Sequence, residues 1–218
     1  MAARAAGEHG VTPLLFAIRG QSDEPLKLLL ERGASVNPKG SHEATPLMAA
    51  VSVNREDWVH SFLEAGADVN AQGDQGRTAL LYATGTPGNK DNTQFVKLLL
   101  DHGANPNIVS NHHETPLGRA AERGNFEAME MLIRAGADAN AISDNSGNTI
   151  MHRAIYYGWD NRIEVIQLLL KAGADWRITN DRKLTVLEIA LERHDEECER
   201  LLREVMAKSA AGTQKARP

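Results

Sequence analysis

Residues 45–77 read TPLMAAVSVNREDWVHSFLEAGADVNAQGDQGR, and the main features of this stretch recur along the chain. Threonine returns six times at intervals of 33 to 37 residues, followed two residues later by an apolar side chain and five residues later by alanine. These threonines are Thr12, Thr45, Thr78, Thr115, Thr149 and Thr185. A fixed period of this length indicates an array of repeats, each of which packs on its neighbours.

The sequence predicts that each repeat begins with a short helix. Thr45-Pro46 supplies a capping hydroxyl and then a proline, whose missing N–H has no cost at the first helical position. The pairs Thr12-Pro13 and Thr115-Pro116 repeat this start signal. The recurring alanine is small, which indicates that the helix lies close to its neighbour.

A second helical pattern follows in every repeat, with apolar residues three and four positions apart. In the first five repeats this pattern ends at a glycine, the residue that best tolerates the left-handed conformation that closes a helix. These glycines are Gly33, Gly66, Gly103, Gly136 and Gly173. The predicted repeat is therefore a helix, a turn, a second helix and a glycine stop.

The TPLxxA start, the paired helices and the GADVN segment together resemble the ankyrin repeat, over about residues 8–206. Related segments return as GASVN, GANPN and GADAN. The resemblance implies an all-α fold, an ankyrin-repeat solenoid of about six helix-turn-helix units with short hairpin-like turns between them. Residues 1–7 are then an N-terminal extension. Residues 207–218, which lack an apolar period, are expected to form a flexible C-terminal tail.

One departure from the ankyrin pattern concerns the histidine that usually follows Thr-Pro-Leu. Only His152 occupies this position, and the other repeats carry Leu15, Met48, Leu81, Gly118 and Glu188. Because the threonine–histidine hydrogen bonds of consensus repeats are mostly absent, we expect a less stable array with the same fold.

Composition and charge limit the classes of partner. The 29 acidic and 24 basic side chains give a formal charge of −5, so we expect no nucleic acid partner and prefer a neutral or basic one. The sequence contains no signal-peptide core and no apolar stretch that could span a bilayer. We therefore expect a soluble, cytoplasmic protein without membrane insertion, monomeric in isolation.

Catalytic motifs are missing from the sequence. It contains neither GxxxxGK[ST] nor GxGxxG for phosphate binding, and the single cysteine, Cys198, has no histidine at an activating spacing. The adjacent His112 and His113 point apart in an extended turn, which argues against a metal site. We expect no enzyme activity, no cofactor and no bound metal.

The resemblance implies a protein–protein interaction module, acting as a scaffold, adaptor or inhibitor, that binds a partner protein on its concave turn and inner-helix surface. The alternative is a permanent non-catalytic subunit of a larger enzyme or transport assembly, which a large exposed apolar patch would favour. Arginine and tyrosine often dominate such interfaces. The candidate partner-binding residues are Asp74, Arg77, Asn111, His112, Glu114, Arg119, Glu122, Arg123, Asn145, Tyr156, Tyr157 and Trp159.

Several of these features have two interpretations. The aromatic residues Tyr156, Tyr157 and Trp159 are either partner anchors or side chains that pack back on a neighbouring helix pair. The insertion Gly85–Thr93 is either a functional loop or neutral variation. Asn70 and Asn140 lie in segments that resemble ankyrin segments hydroxylated on asparagine in animal cells, or their amides satisfy backbone groups in the turn.

Overall fold

The structure is a computed structural model that describes residues 13–20, 22–37, 44–85 and 92–215. In these residues it contains twelve α-helices arranged as six sequential pairs, and no β-strand beyond one isolated bridge between Ile142 and Thr149. The pairs are α1 (Pro13–Arg19) and α2 (Asp23–Glu31), α3 (Pro46–Ser52) and α4 (Glu56–Glu64), α5 (Ala79–Gly85) and α6 (Thr93–Asp101), α7 (Pro116–Arg123) and α8 (Phe126–Arg134), α9 (Ile150–Tyr156) and α10 (Arg162–Lys171), and α11 (Val186–Glu192) and α12 (Glu196–Lys215). The prediction of an all-α array of six helix pairs is confirmed.

The start signals at Thr45 and Thr115 cap first helices as predicted, whereas Thr12 lies outside the described residues. The hydroxyl oxygen of Thr45 accepts a hydrogen bond from the Met48 N–H at 3.2 Å, and Thr115 accepts one from the Gly118 N–H at 3.0 Å. Each bond satisfies one of the backbone donors that the first helical turn leaves without a partner.

Glycine closes the second helices, as Gly66 illustrates after α4. Its φ of +80° lies in the left-handed region. The Gly66 N–H donates to the Leu63 carbonyl at 3.1 Å, and the Ala67 N–H donates to the Phe62 carbonyl at 2.9 Å. This bond pattern is a Schellman motif, which satisfies two carbonyls at the helix end.

The chain divides into two compact bodies. The N-terminal body comprises Met1–Ala120 and Glu127–Ala137, and the C-terminal body comprises Ala121–Phe126 and Asp138–Pro218. In the N-terminal body, α3 packs on α1 and on α5, and fully buried Phe62, Phe95 and Leu99 belong to the core. In the C-terminal body α9 packs on α11, and α12 packs on α10 and α11.

Asparagine side chains join consecutive repeats. Asn70 donates from Nδ2 to the Gly103 carbonyl at 3.1 Å and accepts at Oδ1 from the Asn105 N–H at 2.7 Å. In the C-terminal body, Asn140 Oδ1 accepts from the Asp175 N–H at 2.7 Å. The interpretation that these amides satisfy backbone groups is confirmed, and hydroxylation stays a prediction.

Three predictions concern the two ends of the chain and the insertion Gly85–Thr93. Helix α12 continues to Lys215, so residues 207–215 of the predicted C-terminal tail are helical. Alanine and lysine in this stretch have high helix propensity. The flexibility of the tail stays a prediction. The N-terminal extension 1–7, and residues 86–91 of the insertion, lie outside the described residues.

Candidate functional site

In the N-terminal body, the Glu114 carboxylate lies between two arginine side chains. Arg77 donates from Nε to Glu114 Oε2 at 3.0 Å, and Arg119 Nη1 lies 3.7 Å from Glu114 Oε1. The side chain of Glu114 is 17% exposed, less than that of Arg77 at 33% or Arg119 at 23%. The structure thus brings three predicted binding residues into one ion-pair cluster.

The repeat geometry explains this cluster. Arg77 and Glu114 occupy the same place in successive repeats, directly before the threonines Thr78 and Thr115. A turn fixes Glu114, since the Ser110 N–H donates to the Glu114 carbonyl at 3.0 Å and the Glu114 N–H donates to Ser110 Oγ at 3.1 Å. Ser110 Oγ also donates to Glu114 Oε2 at 3.3 Å, which holds the carboxylate in place.

The three charged side chains line a cavity of about 340 Å³. Its remaining walls are Ser52, Leu81, Tyr82 and Gly85, so the cavity has an apolar wall beside the guanidinium groups. Gly85, the last residue of α5, lines the cavity close to the Arg119 side chain. A Cβ atom built there would lie only 3.1 Å from Arg119 Nε.

Three predicted binding residues, Asp74, Asn111 and His112, lie in the turns before α5 and α7, where Asn111 has a structural role. Asn111 and His112 are exposed, but the Asn111 N–H donates to the Gln75 carbonyl of the previous turn at 2.7 Å. The Asn111 side chain lies against Gly76, where a Cβ atom would be 2.8 Å from Asn111 Oδ1. Asp74 begins a short 3₁₀ turn, and its side chain lies outside the described part of the chain.

In the C-terminal body, two tyrosines at the end of α9 form an exposed aromatic pair. Tyr156 is 39% exposed and Tyr157 is 57% exposed. Their rings pack edge to face, with centroids 5.2 Å apart and planes at 86°. The Arg193 guanidinium lies 4.7 Å from the Tyr156 ring centroid, and its Nε donates to the Tyr156 carbonyl at 3.0 Å. Arg193 therefore fixes one end of the pair.

Arg153, which is not among the residues predicted from the sequence, contacts the other end of the pair. Its guanidinium lies 5.7 Å from the Tyr157 ring centroid and 5.6 Å from that of Trp159, distances at which cation–π attraction acts. Its Nη2 atom lies 3.9 Å from Glu122 Oε2. Arg153 precedes Tyr157 by four residues, and this helical spacing was the signal that could have revealed it.

The remaining predicted residues differ in exposure. Trp159 is half-buried, whereas Tyr156 and Tyr157 are exposed, and the role of all three as partner anchors stays a prediction. Arg123 and Asn145 are exposed to solvent. The C-terminal body thus combines an exposed aromatic pair, in contact with two arginines, with exposed polar side chains.

Cys198 is buried against an ion pair. Burial, followed by the hydrogen bond with Asp195, raises the pKa of the thiol to about 12, so the thiol is protonated at neutral pH. Arg162 Nε donates to Asp195 Oδ2 at 2.5 Å, and Asp195 Oδ1 accepts from the Cys198 N–H at 3.1 Å. A protonated, buried thiol is a poor nucleophile.

The residues that the structure describes contain no group of three or more histidine, cysteine, aspartate or glutamate side chains placed to hold a metal ion. None of their helices has both the length and the apolar content needed to cross a membrane.

Family comparison agrees with the repeat geometry. The family described as ankyrin repeats, three copies, matches residues 2–73, 42–109 and 88–180. The chain belongs to the ankyrin-repeat family. Ankyrin repeats generally serve as protein–protein interaction modules and are usually non-catalytic.

Individual relatives share parts of this ankyrin-repeat chain. Mouse ankyrin repeat domain-containing protein 63 is 31% identical over 130 residues, 59% of this chain and 33% of that protein. The probable E3 ubiquitin-protein ligase XBOS31 of rice is 36% identical over 81 residues, 37% of this chain and 18% of that protein. Alpha-latrotoxin-Lg1a of Latrodectus geometricus is 32% identical over 103 residues, 46% of this chain and 7% of that protein. The matches thus span about a third or less of these relatives.

Proposed function

We propose that this ankyrin-repeat chain binds a partner protein through its turns and first helices, as a scaffold, adaptor or inhibitor. The observation that carries this proposal is the pair Tyr156 and Tyr157. The two residues remain 39% and 57% exposed although their rings contact each other and neighbouring arginines. The exposed area is therefore available to a partner in a defined geometry.

Such fixed aromatic rings suit a binding surface for a physical reason. Ordering a mobile side chain on binding costs roughly 0.5–1.5 kcal/mol, and a side chain that is already held loses less. Tyrosine also combines a large apolar ring with a hydroxyl that can form a directed hydrogen bond. Tyrosine and arginine are accordingly enriched among the residues that contribute most to binding energy.

The cluster of Arg77, Glu114 and Arg119 supports the same proposal in the N-terminal body. Its arginines are partly exposed although each lies within 4 Å of a carboxylate oxygen, so they retain contact area for a partner. The cavity beside them offers a concave apolar wall. We favour this reading over a permanent subunit, because the exposed large apolar side chains include Phe16, Leu28, Ile142 and Leu191, which belong to different helices and turns.

A capture experiment with matched baits tests the proposal. The purified chain, its Tyr157→Ala variant and its Lys171→Ala variant are immobilised, exposed to an extract of the native source and analysed by mass spectrometry. Lys171 is an exposed residue at the end of α10 and serves as the control. We expect a protein that the wild type and Lys171→Ala retain and that Tyr157→Ala loses. Equal retention by all three folded baits would contradict the proposed surface.

A further inference from the structure

The charge of the cavity in the N-terminal body is opposite to that of the whole chain. The chain carries a formal charge of −5, whereas the cavity lining contains two arginines and one glutamate. Glu114 is already engaged by both arginines and by Ser110. The lining groups thus sum to a positive charge, which favours an anionic group as the occupant.

The orientation of the cluster also suits an incoming carboxylate. Glu114 is the least exposed of the three side chains, so the two arginine side chains are more accessible to an incoming group than the carboxylate is. Arg77 contacts Glu114 through Nε, and a guanidinium carries five N–H donors in a planar fork. Arg77 can therefore contact a second carboxylate with its Nη groups while it keeps the bond to Glu114.

The apolar wall determines which kind of chemical group can bind beside that carboxylate. Leu81 and Tyr82 lie beside the charged groups, and a cavity of about 340 Å³ is at the small end of the usual range for ligand sites. A site of this size accommodates one or two side chains. Burial against an apolar wall also strengthens ion pairing, because the local dielectric is lower than in water.

From this geometry we propose that the cavity binds an aspartate or glutamate side chain of a protein partner, together with an adjacent apolar side chain. The acidic group pairs with Arg77 and Arg119, and the apolar group packs on Leu81 and Tyr82. A lysine or arginine of the partner would instead face two like charges and a carboxylate that is already paired. The inference rests on the proposed partner-binding function and specifies the partner chemistry at this part of the surface.

A small probe tests this chemistry without the partner. The full chain, labelled with ¹⁵N, is titrated with 3-phenylpropionate and separately with its neutral analogue 3-phenylpropanamide. We expect saturable shifts of the Gly85 amide and the Arg77 Nε–H signals with the acid, and binding weaker by about tenfold or more with the amide. Inorganic phosphate serves as a third probe, and we expect it to bind more weakly than the acid because it cannot use the apolar wall.

Three variants give the test its controls. Arg77→Gln removes a guanidinium and should weaken acid binding by about tenfold. Gly85→Ala adds a methyl group 3.1 Å from Arg119 Nε, so the Arg119 side chain must shift, and the variant should weaken acid binding by narrowing the cavity. Lys171→Gln changes the net charge by the same amount as Arg77→Gln and should leave acid binding unchanged. Melting curves confirm that each variant is folded.

The outcomes separate this inference from the proposed function. Equal binding of acid and amide, or an unchanged affinity in both Arg77→Gln and Gly85→Ala, overturns the carboxylate site. Phosphate binding as strong as that of the acid overturns the role of the apolar wall. Neither result affects a captured partner that depends on Tyr157, whereas a partner retained equally by Tyr157→Ala and the wild type contradicts the proposed surface whatever the probes show.

Discussion

The imidazole of His152 connects the fifth repeat to the sixth, because its Nε2 atom lies 3.1 Å from the carbonyl oxygen of Leu184. Its Nδ1 atom lies 2.8 Å from Thr149 Oγ1 and accepts from the Thr149 N–H at 3.3 Å. The ring is fully buried. Nδ1 therefore acts as an acceptor and Nε2 as the donor, which corresponds to a neutral imidazole.

This arrangement predicts a pH-dependent stability. Burial is the main cause that lowers the pKa of His152 below its ordinary 6.5, against a smaller opposing effect of the Leu184 hydrogen bond. The unfolded chain then binds a proton at a higher pH than the folded chain does. The free energy of unfolding should be fully retained above about pH 6.5 and should decrease as the pH falls from there toward the folded pKa.

Urea denaturation at several pH values between 7.5 and 5 checks this expectation. The wild type should lose more stability over this interval than His152→Gln, whose amide can still donate to Leu184 but does not titrate. The other histidines are present in both proteins, so the difference between the two profiles isolates His152. Parallel pH profiles of the unfolding free energy would show that His152 contributes nothing to the pH dependence of stability.

Leu99 tests the assignment of the core. It is fully buried in α6, so Leu99→Ala should reduce the free energy of unfolding by about 2–5 kcal/mol through lost burial and a residual cavity. The same substitution at Leu28, which is 50% exposed in α2, is the control and should cost less than about 0.5 kcal/mol. Similar losses for both variants would mean that the α6 core is misplaced.

Gly66 tests the backbone conformation that ends α4. Its φ of +80° disfavours any residue with a side chain, although nothing lies within 4 Å of a Cβ atom built there. Gly66→Ala should therefore lower stability by roughly 1–2 kcal/mol through backbone strain alone. Gly20→Ala is the matched control, since Gly20 has no positive φ and its Cβ would make only ordinary contacts at 3.5 Å. An unchanged melting temperature in Gly66→Ala would rule out a left-handed backbone conformation at the residue that ends α4.

Substitution of Asp195 tests the ion pair that it forms with Arg162 directly before α12. Burial disfavours its charged form, but the hydrogen bonds from Arg162 and from the Cys198 backbone more than offset this, so the pKa of Asp195 is lowered. Asp195→Ala removes the acceptor for both groups and should cost about 0.5–2 kcal/mol, the usual range for a lost helix cap. The neighbouring exposed Glu196 serves as the control, and Glu196→Ala should have little effect in the same thermal unfolding series.

The local signals of the sequence predicted the fold well. Threonine caps and glycine stops act within a few residues of the helix ends that they specify, so Thr45 and Gly66 could be interpreted without tertiary information. One local signal was missed. Thr185 and Glu188 form a capping box, in which the Thr185 N–H donates to Glu188 Oε2 at 2.7 Å. This bond, rather than a histidine, helps to fix the start of the last repeat.

Ion pairs between residues one repeat apart, including the one in the candidate site, are not revealed by sequence pattern alone. Arg55 reaches Asp23 over 32 residues, and Arg162 reaches Asp195 over 33. Glu114 pairs with Arg77 over 37 residues. The sequence identified Arg77, Glu114 and Arg119 as candidates separately, but the cavity that they share depends on how α5 and the following turn pack.

The most direct test of the account is a calorimetric titration of the captured partner into the wild type, Tyr157→Ala, Arg123→Ala and Lys171→Ala, each checked by its melting curve. If the turns and first helices form the binding surface, Tyr157→Ala and Arg123→Ala should each weaken binding by more than about 1 kcal/mol, roughly fivefold or more in Kd. Lys171→Ala should bind as the wild type does. Full affinity in the Tyr157 and Arg123 variants, with a loss in Lys171→Ala, would contradict the account and place the partner on the opposite face.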